Sequence, residues 1–99
     1  MFDVKKKETT TGTTIFIIGD VTRVDLQKFE YKFFEILENS YGDITLNFEK
    51  CDYVCSGAIA VFSEAVQIAH NENNYVNFKT KKGMVKRLLT QSGFGEFIY

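Results

Sequence analysis

Residues 43–60, DITLNFEKCDYVCSGAIA, combine a β-strand pattern with the start of a helix. In the first part Ile44, Leu46 and Phe48 alternate with polar residues, which is the period of a strand with one buried face. From Ser56 onward the sequence is apolar almost all round, which predicts a helix that is largely buried or faces a partner. A strand that turns into a helix leaves unpaired backbone N–H groups and the positive end of a helix dipole at the junction.

The same two periods recur along the rest of the chain. Strand patterns cover residues 3–8, 13–18, 43–48, 75–78 and 97–99, and helical patterns begin at Val24, Ser56 and Gly83. The predicted order is therefore ββαβαβαβ. Strands that alternate with helices imply parallel pairing through right-handed crossovers. We expect a single α/β domain over residues 1–99, with three helices on a four- to five-stranded, mostly parallel mixed sheet.

The composition fits one domain with its own core. The chain has 99 residues, of which 44% are hydrophobic, so it can bury a core without a disulfide or a metal. Its formal net charge is −1, whereas general nucleic-acid binding usually needs a basic surplus. We therefore expect no nucleic-acid partner. The basic stretch from Lys79 to Arg87 is either a solvated helix face or a surface for a phosphate group or an acidic partner.

Two cysteines, Cys51 and Cys55, and one histidine, His70, are the candidate metal or redox ligands. The cysteines lack the spacing of a redox pair, and the three residues cannot complete a four-ligand zinc site. Two cysteines fit a reducing compartment better than a disulfide framework. Residues 1–14 show no signal-peptide pattern, and no apolar run approaches the ~20 residues of a membrane span. These features predict a cytoplasmic domain with no metal, no cofactor and no membrane span.

Three segments, in order and at the right spacing, resemble the STAS domain, the fold of bacterial anti-sigma-factor antagonists. Residues 19–22, Gly-Asp-Val-Thr, correspond to a Gly-x-Leu/Ile-Asp segment after the second strand. Residues 44–57 correspond to a strand, a loop and then Asp-Ser-Ser/Thr-Gly. Residues 85–94 resemble Val-x-Arg-x-Leu followed by Ser/Thr-Gly-Leu. The resemblance implies a single STAS-like domain.

The resemblance also assigns roles to the residues of the junction. In the family, a cognate anti-sigma kinase phosphorylates the first serine or threonine after the aspartate, and the phosphate adds roughly −1.5 to −2 charges at the interface. Alignment through Gly57 places Val54 at the aspartate position, Cys55 at the phosphoacceptor and Ser56 at the second Ser/Thr. Thr22 replaces the aspartate of the upstream loop. The resemblance therefore implies a degenerate phosphoswitch, in which Ser56 is the only possible acceptor.

Three functions follow as hypotheses. The first is a non-enzymatic protein–protein interaction module of transcription regulation, which binds an anti-sigma serine kinase-like protein. The second is a STAS subunit that docks on the ATPase of a lipid transporter, and the third is a thiol-based sensor through Cys55. No nucleophile, base and oxyanion site assemble in the sequence, so we expect no enzyme. The predicted binding surface is the loop of residues 19–24 beside the loop of residues 53–57, together with the exposed face of the second helix. The predicted partner-binding residues are Thr22, Arg23, Val54, Cys55, Ser56, Gly57 and Ala58.

Two junction residues keep alternative interpretations. Ser56 is either the N-cap of the second helix, where its hydroxyl would accept a backbone N–H, or a substitute phosphoacceptor. Cys55 is either a small packing residue or a thiol made reactive by the helix N-terminus. Asp52 could stand in for the missing carboxylate from two residues away.

Overall fold

The computed structural model describes all 99 residues and contains four strands and three α-helices. The elements are β1 (Phe2–Glu8), β2 (Gly12–Gly19), α1 (Leu26–Glu38), β3 (Asp43–Lys50), α2 (Ala58–Asn71), β4 (Val76–Lys79) and α3 (Met84–Leu89). A π-helical turn (Thr90–Phe94) and a 3-10 turn (Gly95–Phe97) follow α3. None of the helices combines the length and the hydropathy that a membrane crossing requires.

The four strands form one mixed sheet in the order β1-β2-β3-β4. β1 and β2 run antiparallel, and the two remaining pairs are parallel. Ile15 lies beside Leu46 and Leu46 beside Phe78, so the central apolar residues are in register across three strands. Helix α1 connects the parallel pair β2 and β3, and α2 connects β3 and β4. The predicted α/β class, the three helices and the mostly parallel mixed sheet are confirmed.

Aromatic side chains join the helices to one face of the sheet. The ring of Phe62 in α2 lies 6.0 Å from the rings of both Phe29 and Phe33 in α1. It also lies 5.2 Å from Phe48 in β3 and 6.4 Å from Phe78 in β4, all by ring centroids. All five side chains are fully buried. Edge-to-face pairs of this kind contribute about 0.5–1.5 kcal/mol each beyond their buried area, so this cluster links both helices to the sheet.

The opposite face of the sheet is more open to solvent. Lys5, Phe16, Asn47 and Lys79 follow one another in register across the four strands on this face. Both lysines are exposed, Phe16 is half-buried and Asn47 is buried, whereas Ile15, Leu46 and Phe78 on the other face are fully buried. Such a division is common where one face of a sheet packs on helices and the other meets solvent.

Several ends differ from the sequence-based prediction: α2 begins at Ala58 rather than Ser56, α3 begins at Met84 rather than Gly83, and two further differences have a visible cause. Helix α1 begins at Leu26 rather than Val24, because the backbone N–H of Asp25 donates to the carbonyl and hydroxyl oxygens of Thr22 (3.1 and 3.4 Å) in a preceding turn. The short strand predicted at residues 97–99 is reduced to a single bridge between Ile98 and Phe78.

The C-terminal segment takes another form because side-chain packing and a glycine turn decide its path. The rings of Phe94 and Phe97 pack on Phe78 at 5.2 and 6.0 Å. Gly93 has a φ of +94° and turns the chain toward Phe78. Residues that carry a side chain rarely adopt this backbone conformation. Helix α3 therefore ends at Leu89, earlier than the Gln91 that the helical pattern predicts.

Candidate interaction site

Two loops meet where β2 and β3 end: residues 20–25, which lead to α1, and residues 51–57, which lead to α2. The backbone N–H of Val21 donates to the carbonyl of Tyr53 (2.9 Å), and the N–H of Cys55 donates to the carbonyl of Val21 (2.8 Å). These bonds continue the parallel pairing as a bridge beyond the ends of the two strands. The structure thus brings together the two loops that sequence analysis placed side by side.

Burial divides the predicted partner-binding residues into two groups. Val54 and Ala58 have no exposed surface, and Cys55 is only 6% exposed, so these side chains pack in the core. Thr22 is half-buried, whereas three residues are exposed: Arg23, Ser56 and Gly57. Only Thr22, Arg23, Ser56 and Gly57 therefore offer surface to a partner. The buried side chains pack beneath them.

Two exposed apolar residues belong to the same predicted loops, although the sequence did not single them out as partner-binding residues. Val24 is 91% exposed and Tyr53 is 38% exposed. The sequence pattern placed Val24 at the start of the amphipathic helix, where its exposure could not be seen. The available signal was its position directly after Thr22 and Arg23, before the periodic residues of α1. We call the set Thr22, Arg23, Val24, Tyr53, Ser56 and Gly57 the junction surface.

Gly57, rather than Ser56, is the N-cap of α2, so the predicted capping role of Ser56 is wrong. The first helical hydrogen bonds come from turn geometry: Ala58 N–H donates to the carbonyl of Cys55 (3.0 Å) and Ile59 N–H to that of Ser56 (3.1 Å). No side chain caps this end. The Ser56 side chain is therefore exposed and free of any capping bond.

Close packing explains a glycine at position 57. A Cβ added to Gly57 would lie 2.6 Å from Cδ2 of Leu26, the first residue of α1. That distance is shorter than real Cβ contacts, so any side chain here must displace Leu26. The starts of α1 and α2 are consequently in direct contact beneath the junction surface.

Two carboxylates near the junction, Asp25 and Asp52, pair with side chains other than Cys55. Asp52 pairs with Lys81 in the loop after β4, with 2.5 Å between Oδ1 and Nζ. The hydrogen bond that Lys81 donates to this carboxylate raises the pKa of Lys81. Asp25 accepts a hydrogen bond from the hydroxyl of Thr22 (3.2 Å). Asp52 is thus engaged away from Cys55 and makes a poor substitute for the carboxylate that Val54 replaces.

Both cysteines are free thiols and both are buried. Cys51 is 1% exposed, and its Sγ lies 3.4 Å from the carbonyl oxygen of Tyr53, to which it donates. Burial, together with the charges of Asp20 and Asp52, raises the pKa of the Cys51 thiol to about 11. No group of three or more His, Cys, Asp and Glu side chains is placed to hold a metal ion.

The architecture matches two solved structures over the whole of this chain. One is the anti-sigma factor antagonist SpoIIAA in its unphosphorylated form, with a TM-score of 0.79 and 14% sequence identity. The other is an anti-sigma factor antagonist from Mycobacterium paratuberculosis, with a TM-score of 0.86 and 9% identity. Each match covers 100% of this chain and 86% of the other.

The chain has a STAS-like fold. The resemblance seen in the three sequence segments is therefore confirmed at the level of structure. No family model matches the sequence, and no curated protein sequence matches it either. The similarity lies in the path of the backbone, since identities of 9–14% leave few residues in common.

Proposed function

We propose that this STAS-like chain is a non-enzymatic regulator that binds a protein partner through the junction surface. The observation that carries the proposal is the pair of backbone hydrogen bonds between Val21 and the loop of residues 51–57, which fixes two exposed loops as one surface. The likeness to two anti-sigma factor antagonists supports a partner of the anti-sigma serine kinase type. Arg23 supplies a cation, and Val24 and Tyr53 supply exposed apolar area.

We further propose that binding does not depend on a phosphoswitch at position 55. A thiol that is 6% exposed stands there, and the apolar Val54 stands in place of a carboxylate. Without a phosphorylatable hydroxyl at this position, no phosphate at residue 55 changes the charge of the surface that the partner meets. Control of the pathway then acts through the amount of protein or through the partner.

Substitution Ser56→Asp tests the junction surface. A carboxylate there should weaken binding by roughly 1–3 kcal/mol, because the partner would remove water from the new charge. Stability should stay unchanged or rise by about 0.3–1 kcal/mol, because the charge lies near the N-terminus of α2. Calorimetric titration with the ATP-binding domain of the host's anti-sigma serine kinase, alongside urea unfolding, measures both effects.

The matched control is Ser92→Asp, which adds the same charge at an exposed position in the turn after α3. Its affinity should equal that of the unmodified protein. Equal affinities for both variants would show that the interface lies elsewhere. Tight binding to a lipid-transporter ATPase, with none to the kinase domain, would instead support docking on a transporter.

Intact-mass spectrometry of protein purified from its native host tests the absence of the phosphoswitch. We expect one mass that does not change on phosphatase treatment, since neither Cys55 nor Val54 can act as a serine/threonine kinase substrate. A stoichiometric phosphate on Ser56 would contradict the proposal and move the acceptor by one residue.

A further inference from the structure

Helices α1 and α2 border a groove on the side of the molecule formed by their later turns. The groove has a volume of about 470 Å³ and is lined by Phe34, Leu37 and Glu38 from α1 and by Glu64, Ile68 and Glu72 from α2 and its end. Leu37 is buried, Phe34 is half-buried and Ile68 is 36% exposed, so the apolar side chains form the floor. All three glutamates are exposed and form the rim.

The groove continues along the outer side of α1. Phe34 and Glu38 also line an adjoining depression of about 520 Å³, together with Gln27, Glu30, Tyr31 and Glu35. Tyr31 is 75% exposed, which adds a large aromatic surface without a partner. The two depressions together run from Gln27 to Glu38, which is about 16 Å or three helical turns. We call the combined surface the acidic groove.

The charge of the acidic groove is of one sign. No lysine or arginine lines either part of it. Its glutamates take part in no ion pair, although five ion pairs occur elsewhere in the chain. These glutamates are Glu30, Glu35, Glu38, Glu64 and Glu72. The whole chain has a formal net charge of only −1, so the five carboxylates of this groove stand out against a nearly neutral chain.

We propose that the acidic groove is a second docking surface, which binds a basic amphipathic helix of a protein partner. An apolar floor of three side chains can receive apolar anchors spaced along one helix face, and the glutamate rim complements lysine and arginine on its flanks. A surface of this sign repels nucleic acid and anionic lipid. The proposal goes beyond the junction surface, because the two surfaces share no residue.

A second copy of the chain fits the acidic groove poorly. One group of basic residues lies around α3, where Lys82, Lys86 and Arg87 line a separate depression. That depression contains no hydrophobic residue. It could satisfy the glutamate rim but would leave Phe34 and Ile68 without apolar contacts. A helix that is both basic and amphipathic satisfies the rim and the floor together.

The test uses a synthetic 16-residue peptide with leucine at helical i, i+3, i+4, i+7 spacing and lysine on the flanks. A scrambled peptide of the same composition is its control. Backbone amide NMR shifts on addition of the peptide should change at residues 30–38 and 64–72 and leave the junction surface unchanged. Fluorescence anisotropy should show an affinity that falls with added salt, since exposed charges are screened.

Paired charge reversals separate the acidic groove from net charge. Glu38→Lys combined with Glu64→Lys should weaken peptide binding about tenfold or more, an effect of ~1.4 kcal/mol. Glu49→Lys combined with Glu96→Lys makes the same change in net charge outside the groove and should weaken it less than about threefold. Ile68→Ser should also lose about tenfold, because it removes part of the apolar floor. Thermal melting checks that each variant is folded.

Three results would overturn the proposal. They are equal binding of the ordered and scrambled peptides, shifts that map outside the acidic groove, and equal losses from the two charge-reversal pairs. Concentration-dependent dimerisation in sedimentation that Glu38→Lys abolishes would assign the groove to a second copy instead. Ser56→Asp should leave peptide binding unchanged, so failure at the junction surface and failure at the acidic groove are distinguishable.

Discussion

Burial decides the chemistry of Cys51. The thiol is 1% exposed, has Tyr53 as its only hydrogen-bond acceptor, and lies near the charges of Asp20 and Asp52. Each of these charges disfavours a thiolate, and burial disfavours it most, so the pKa rises from 9.0 to about 11. The sequence showed a cysteine at the end of a strand. It could not show the carboxylates that the loops bring to it.

The raised pKa of Cys51 predicts a loss of stability in alkali. In the unfolded chain the thiol ionises near pH 9, whereas in the folded protein it keeps its proton until about pH 11. Its contribution to folding is therefore fully present below pH 9 and is lost as the pH rises through 11. Urea unfolding of the unmodified protein and of Cys51→Ala at several pH values measures this. The free energy of unfolding should fall more steeply for the unmodified protein, and parallel curves would contradict the assignment.

The junction residues show what the sequence could and could not predict about the site. Residue spacing and resemblance placed the two loops side by side, and the hydrogen bonds of Val21 agree with this. Burial of Val54 was not foreseeable, because it depends on how the loops close over the core, whereas burial of Ala58 is one of the two outcomes predicted for the apolar helix. The cap at Gly57 was also missed, since a turn rather than a serine hydroxyl starts α2.

At the scale of elements, the spacing of apolar residues was enough to predict the long strands and helices. The apolar positions of β3, and the stripe of α1 formed by Leu26, Phe29, Phe33, Ile36 and Leu37, predicted both the element and its buried face. Phe29, Phe33 and Leu37 are buried, whereas Leu26 and Ile36 are half-buried. The segment after Leu89 was less predictable. The segment is too short to show a clear hydrophobic period. Its path depends on the packing of Phe94 and Phe97 against Phe78 in β4.

Replacing phenylalanine by alanine should lower the free energy of unfolding by different amounts on the two faces of the sheet. Phe48→Ala should lower the free energy of unfolding by about 3–5 kcal/mol, because this ring is fully buried between Phe62 and Phe78. Phe16→Ala in neighbouring β2 removes a half-buried ring from the open face and should cost less than half as much. Urea unfolding of both variants gives the comparison. A loss below about 1 kcal/mol for Phe48→Ala would place β3 outside the core.

At the scale of the whole molecule, one cluster of 23 buried residues extends from β1 to the turns after α3. It contains both cysteines. A single core of this kind in a chain of 99 residues favours cooperative unfolding in one step. The match to two solved structures at 9–14% identity shows that the fold is shared although few residues are.

Cooperative unfolding predicts that the two thiols become reactive together. In the native protein neither Cys51 nor Cys55 should react rapidly with a disulfide reagent, because both are at most 6% exposed. In urea, two thiols per chain should appear with the same midpoint as the loss of helical circular dichroism. Rapid reaction of one thiol in the native protein, absent from Cys55→Ala, would support the thiol-sensor hypothesis instead.

The single bridge between Ile98 and Phe78 bears on aggregation. An uncovered edge strand presents free N–H and C=O groups that can pair with another chain. On one edge of this sheet, β1 carries Lys5, Lys6 and Lys7, whose charges oppose such pairing. On the other edge, β4 is only four residues long, and the N–H of Tyr99 occupies the carbonyl of Phe78 (3.3 Å). The C-terminal residues thus cover part of the β4 edge, which would otherwise be free to pair with a strand of another chain.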